Sequence, residues 1–166
     1  SPQFNKIVSI PPYDISSRLL LWFFKRNFDC AVLVFQKEFA NRLTAAIGCD
    51  DYSWLTIVAH YYTDVELLDD VPSQMFYPQP EVDSIVLRLK PKNPRPFKLK
   101  NEVLFQKLAR SLFTRRNQKV KNAILPFIKN SRLQSGSFVD SLRFRDRRVR
   151  ELAPQNFGEL ANALAE

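Results

Sequence analysis

Ala31-Val32-Leu33-Val34-Phe35 carries no polar side chain. An unbroken run of β-branched and aromatic residues reads as a central parallel strand covered on both faces, whereas a half-exposed strand alternates. What flanks it fits that reading. Lys6-Ile7-Val8-Ser9-Ile10 reads as a short buried strand ended by Pro11-Pro12. Ser16 or Ser17 is placed to cap a helix through Leu19, Leu20, Trp22 and Phe23 to Arg26. A helix from about Lys37 to Ala46 ends before Gly48 and Asp50-Asp51, and Trp54 to Tyr62 forms another. Val65-Glu66-Leu67-Leu68 and Ile85-Val86-Leu87-Arg88-Leu89 then read as strands. Strand, helix, strand, helix and a strand pair make an α/β fold, the second half of an open sheet.

Pro91 to Pro96 is a stiff, solvated connector and marks the domain boundary. Residues 1–92 form one domain and residues 93–166 a second, all-helical one. Leu104, Phe105, Leu108, Leu112 and Phe113 recur at helical spacing, and Val120, Ala123, Ile124 and Phe127 resume the stripe. Ser131 to Ser137 reads as a loop around Gly136, and a last helix runs from Pro154 to Ala165. Charge divides at the same boundary. Residues 1–92 hold 9 Lys/Arg against 11 Asp/Glu, and residues 93–166 hold 16 against 6. A basic half beside a near-neutral one is the electrostatic footprint of a polyanion-binding surface.

Other classes are excluded by what is missing. No apolar run approaches the roughly 20 residues that span a bilayer, so no membrane partner is expected. Cys30 and Cys49 lack metal-ligand spacing, and a reduced, cytoplasmic setting follows. His60 is the only histidine and has no second ligand near it in sequence; it reads as structural. The three glycines, Gly48, Gly136 and Gly158, open no strand-to-helix phosphate loop. With its first strand at residue 6 and no earlier βα unit, the chain reads as beginning partway through a domain.

Two proline–aromatic segments carry the chemistry, Ile10-Pro11-Pro12-Tyr13 and Phe76-Tyr77-Pro78-Gln79-Pro80. Each sets an aromatic face on a loop stiffened by proline. An enzyme that modifies a base takes it from its stack and holds it between flat apolar groups.

In order, these residues resemble the KsgA/Dim family of rRNA adenine N6,N6-dimethyltransferases, especially archaeal members. Pro12-Tyr13-Asp14-Ile15-Ser16-Ser17, after Phe4-Asn5-Lys6-Ile7-Val8, is similar to the family's NLPYNISS segment. Ala31 through Ala40, with Arg42-Leu43, resembles VLMFQKEFAERL. Phe76-Tyr77-Pro78-Gln79-Pro80-Glu81-Val82-Asp83-Ser84, after Val71-Pro72, resembles the most specific segment, FxPxPKVDS. Phe113 to Lys119 and Arg148 to Phe157 resemble two signatures of the helical domain, so the likeness covers nearly the whole chain.

The resemblance implies the second half of a Rossmann-like methyltransferase sheet and a small all-α domain. It also implies methyl transfer from S-adenosylmethionine to N6 of adjacent adenosines near the 3′ end of small-subunit rRNA, during ribosome biogenesis. Tyr13 matches the aromatic that stacks on the target base, Phe76 the one that closes its other side, and Pro11 and Pro12 their loop. Arg115, Arg116, Lys119 and Lys121 are the expected phosphate contacts of a monomer acting on the immature small subunit. Ile10 stands where the family has an Asn whose oxygen would accept from the adenine amine, and it has no acceptor. Ser9 would replace it only if the strand end shifted, while Pro11 offers a carbonyl. Lacking the glycine-rich half, the chain alone is expected to bind S-adenosylmethionine poorly and to be inactive. Three readings stay open: a dimethyltransferase, a non-catalytic rRNA-binding assembly factor, and a relative of the Erm enzymes acting on the large subunit.

Overall fold

The computed structural model describes residues 5–129 and 135–165. Phe4 and residues 131–134 of the expected Gly136 loop lie outside them. The chain forms two compact units, Ser1–Thr44 with Tyr62–Arg95, and Ala45–Tyr61 with Pro96–Glu166. Their junction at Arg95/Pro96 falls inside the expected connector. The expected boundary leaves residues 45–61 in the first domain, whereas here they group with the second unit. They join the second unit because their large side chains are buried there: Tyr52 packs edge-on against Phe113, and Tyr61 meets Phe97 and Phe105.

Along the chain come β1 (Lys6–Ser9), α1 (Ser16–Phe23), β2 (Cys30–Gln36), α2 (Lys37–Leu43), α3 (Trp54–Tyr62), β3 (Thr63–Val71) and β4 (Ser84–Pro91). The four strands form one sheet in the order β1-β2-β4-β3. β2 is parallel to β1 and antiparallel to β4, and β3 is antiparallel to β4. The alternation of strand side chains puts Ala31, Leu33, Phe35, Ile85, Leu87 and Leu89 on one buried face. With Leu20, Phe23, Phe24 and Phe28 they make this unit's core. The expectation for β2 is corrected in two respects. Only one neighbour is parallel, and Val32 and Val34 on its second face are half-buried rather than covered.

Local chemistry accounts for other departures. Ser16 does not cap α1. It is the helix's first residue, and its hydroxyl donates back to the Tyr13 carbonyl at 2.9 Å. α2 stops at Leu43, and the chain turns through Gly48, whose φ of +86° suits a residue without Cβ. β3 extends to Val71 although its end is acidic, because it pairs with β4 through the backbone. A register shift between Leu67 and Asp69 leaves Leu68 unpaired and 40% exposed.

The second unit adds α4 (Glu102–Phe113), α5 (Val120–Ala123), α6 (Leu125–Lys129), α7 (Ser135–Ser141) and α8 (Pro154–Leu164) to most of α3. The Asn101 side chain caps α4 by accepting from Leu104 N–H at 2.9 Å. The expected loop to Ser137 is helical from Ser135 onward. Phe105, Leu108, Leu112, Val120, Ile124, Leu152, Phe157 and Leu160 fill the core, with Phe113 stacked on Phe157 at 5.5 Å.

Candidate functional site

In the first unit β1, β2 and β3 run one way and β4 the other. The carboxyl ends of three strands therefore share one end of the sheet with the start of β4. Ligands of open α/β sheets bind outside that end. Both proline–aromatic loops leave from it, one after β1 and the other between β3 and β4.

The first loop is fixed at several points. Pro11 is buried, and the Pro12 carbonyl accepts from Ile15 N–H at 3.3 Å, closing one 3₁₀ turn over Tyr13–Ile15. The half-buried Tyr13 has its carbonyl bound by Ser16, while its hydroxyl hydrogen-bonds with Ser84 Oγ, across the end of β2. The second loop turns through Ser73–Met75 into extended backbone at Phe76, which is also half-buried. Phe76 N–H donates to the Ser73 carbonyl at 3.2 Å, and Ser73 N–H to Asp83 Oδ1 at 3.0 Å. Asp83-Ser84 therefore joins the two loops.

Around them the surface is unusually apolar. Ile10 is 64% exposed, Met75 76% and Tyr77 fully exposed. Exposed apolar groups gathered at a binding end mark an interaction site rather than a solvated face. Ser9 and Ile7 are half-buried while Val8 and Ile10 face solvent, so Ser9 and Ile10 lie on opposite sides of this extended segment. Beside the loops Lys37 Nζ pairs with Asp70 at 2.8 Å, and that hydrogen bond, reinforced by the Asp70 and Asp83 charges, raises the lysine's pKa.

The second unit brings two basic segments together. Residues 116–121 run beside residues 145–150, tied by Lys121 N to Arg145 O, Val120 N to Arg147 O, Val149 N to Gln118 O and Arg150 N to Arg116 O, at 2.9–3.0 Å. The four expected phosphate contacts differ in what they already hold. Arg116 donates to the carbonyls of Cys49 and Asp50 at 2.7 and 2.6 Å, so its guanidinium pins the turn after Gly48. Lys121 and Lys119 lie 2.8 and 3.9 Å from Asp146, which also meets Arg145 at 3.5 Å. The hydrogen bond from Lys121 lowers the Asp146 pKa, helped by the charges of Lys121, Arg145 and Lys119. Among the described residues the Arg115 guanidinium meets only the neighbouring Thr114 hydroxyl, at 3.5 Å. His60 is exposed at the end of α3.

Gly48 lies in a turn, Gly136 in α7 and Gly158 is buried in α8, so none opens a loop between strand and helix. Among the described residues no cluster could hold a metal ion, and no helix is long and apolar enough to cross a membrane.

Sequence reasoning did not single out the hydrogen bonds of Ser84 and Asp83 or the full exposure of Tyr77. Their signal was present, since Asp83-Ser84 immediately precedes the apolar run of β4 and Tyr77 is an aromatic between proline-rich turns.

Known proteins similar to this chain point to one family. The family model described as ribosomal RNA adenine dimethylase matches residues 3–165. A probable ribosomal RNA small subunit methyltransferase A from Methanosarcina mazei is 36% identical over 166 residues, covering 98% of this chain and 61% of that protein. One from Methanococcus vannielii is 38% identical over 167 residues, covering 97% and 62%. The crystal structure of a dimethyladenosine transferase from Plasmodium falciparum matches with a TM-score of 0.82 and 27% identity, over 99% of this chain and 67% of that one. The 23S rRNA methyltransferase ErmE, at 22% identity and a TM-score of 0.61, shares the fold. The chain spans about three fifths of the length of the curated relatives it matches. By sequence and by fold it belongs to the ribosomal RNA adenine dimethylase family.

Proposed function

We propose that this chain supplies the base-capturing loops and the rRNA-binding unit of a small-subunit rRNA adenine N6,N6-dimethyltransferase. The whole reaction moves methyl groups from S-adenosylmethionine to adjacent adenosines near the 3′ end of the rRNA during ribosome biogenesis. One observation carries the reading: two stiff proline–aromatic loops leave the carboxyl end of the sheet and are joined there by Asp83-Ser84. The sheet is then the second half of a Rossmann-like domain. Tyr13 and Phe76 take the two faces of an extruded adenine, and stacking contributes about 1–3 kcal/mol per base. An exocyclic adenine amine is a poor nucleophile because its lone pair is delocalised into the ring. Its activation is therefore a matter of orientation and of acceptors for its N–H groups. The paired basic segments of the second unit, with Arg115 beside them and Arg116 committed instead to Cys49 and Asp50, hold rRNA phosphates without reading sequence. The chain spans about three fifths of its curated relatives' length, so methyl transfer is not assigned to it alone.

Ile10 favours a second reading. An exposed hydrocarbon side chain where the family has an amide gives the amine no acceptor. A member altered in this way binds immature small subunits through the basic unit without methylating them.

The test incubates immature small subunits with S-adenosylmethionine and either the chain or its Ile10→Asn variant, then measures binding and N6,N6-dimethyladenosine by mass spectrometry. Both bind, and neither alone forms the dimethylated base. Turnover by the unaltered chain contradicts this division of labour, and absence of binding contradicts the rRNA reading.

A further inference from the structure

We propose that Ser84 and Asp83 are positioning residues for base capture: Ser84 fixes the Tyr13 ring through its hydroxyl, and Asp83 fixes the loop carrying Phe76. The proposal rests on the base-capture reading above and adds the device that sets the gap between the two aromatic faces.

Ser84 is wholly buried at the first position of β4, where it pairs with Gln36 of β2 and Val71 of β3. A buried hydroxyl needs a partner, and its partner is Tyr13. Tyr13 is thus held at its backbone, through its carbonyl on Ser16 Oγ at 2.9 Å, and at the tip of its ring, through its hydroxyl on Ser84. The ring cannot swing without breaking one of these bonds. With the hydroxyl committed to Ser84, Tyr13 presents only its face to a base. Stacking on a face accepts any base, so discrimination for adenine comes from elsewhere in the site.

The preceding residue holds the other loop. Asp83 accepts from Ser73 N–H through Oδ1 at 3.0 Å and from Lys37 N–H through its carbonyl at 3.0 Å. Ser73 in turn accepts from Phe76 N–H at 3.2 Å and, at its hydroxyl, from Gln79 Nε2 at 3.1 Å. The first residue of β4, paired on both sides, and the residue just before it therefore set both aromatic positions. A displacement at one is transmitted to the other through a single peptide unit.

The experiment uses a single-stranded RNA with one adenine replaced by fluorescent 2-aminopurine and a dye at its end. Quenching of 2-aminopurine reports stacking, and dye anisotropy reports total binding. Tyr13→Ala abolishes quenching. Tyr13→Phe, Ser84→Ala and Asp83→Ala each weaken base capture about five- to tenfold, the effect of one hydrogen bond, with total affinity unchanged within twofold. The Tyr13→Phe/Ser84→Ala double variant is no weaker than either single one, because both remove the same bond. If Ser84→Ala fails to melt cooperatively, Tyr13→Phe, which alters no buried packing, decides alone. Full quenching in Tyr13→Phe and Asp83→Ala, with quenching lost in Tyr13→Ala, overturns the positioning roles and leaves base capture standing. Absence of quenching by the unaltered chain overturns the base-capture reading and this proposal together.

Discussion

The Tyr52 hydroxyl donates to the Leu152 carbonyl oxygen at 2.6 Å, joining points a hundred residues apart in the second unit. Tyr52 is buried, so removing the hydroxyl leaves that carbonyl without its partner. Tyr52→Phe lowers unfolding free energy by about 1–2 kcal/mol in urea titrations. Burial also raises the phenol's pKa above its ordinary 10.0. The folded state then keeps a proton that the unfolded state releases, so this contribution is fully present below pH 10 and is lost as pH rises beyond it. Stability measured across that range falls less steeply in Tyr52→Phe.

Gly158 sits inside α8, where alanine would ordinarily favour the helix by about 1 kcal/mol. A Cβ there would meet Phe97 ring carbons at 2.6 and 2.7 Å. The Phe97 ring is also packed on Tyr61 and Phe105, at 5.0 and 5.8 Å, which limits its retreat. Overpacking therefore outweighs propensity, and Gly158→Ala loses about 1–2 kcal/mol in thermal or urea melts. Adding Phe97→Leu recovers part of it.

Arg115 and Arg116 are neighbours with different duties. Arg116→Ala removes two bonds that pin Cys49 and Asp50, so it lowers stability and leaves the salt dependence of RNA binding unchanged. Arg115→Ala leaves stability unchanged and reduces the slope of log K against log salt by about 1. Anisotropy titrations at several salt concentrations, alongside melts, separate the two.

Asp146 draws Lys119, Lys121 and Arg145 inward. Asp146→Asn releases Lys119 and Lys121 to phosphates, while Arg145 keeps its 2.6 Å pair with Asp140, so RNA affinity rises and the salt slope steepens by about 1–2. Because the folded pKa of Asp146 is lowered below 3.8, its ion pairing persists above that value and is lost only as pH falls through the lower folded one. The effect of the substitution is therefore constant between pH 5 and 8.

The four strands and most helices were legible because their signals are local: apolar runs for β1, β2 and β4, and helical spacing for α3, α4 and α8. The bulge beside Leu68 and the acidic end of β3 were not, since backbone pairing with β4 overrides a weak local preference. Segment 45–61 falls in the second unit although nothing in its own composition reveals that Tyr52 and Tyr61 pack against residues more than forty positions later. At the site, Tyr13 and Phe76 announced themselves through their prolines. Ser84 and Asp83 did not, since their roles arise from the register that sets β4 beside β2 and β3.

Ultraviolet crosslinking of the chain to immature small subunits, followed by mass spectrometry of the adducts, tests the central claim most directly. Adenosine from near the 3′ end of the small-subunit rRNA attaches to the peptides bearing Tyr13 or Phe76, and phosphate-proximal adducts map to residues 115–121 and 143–150. Adducts confined to the basic segments, with none on either aromatic loop, would contradict it.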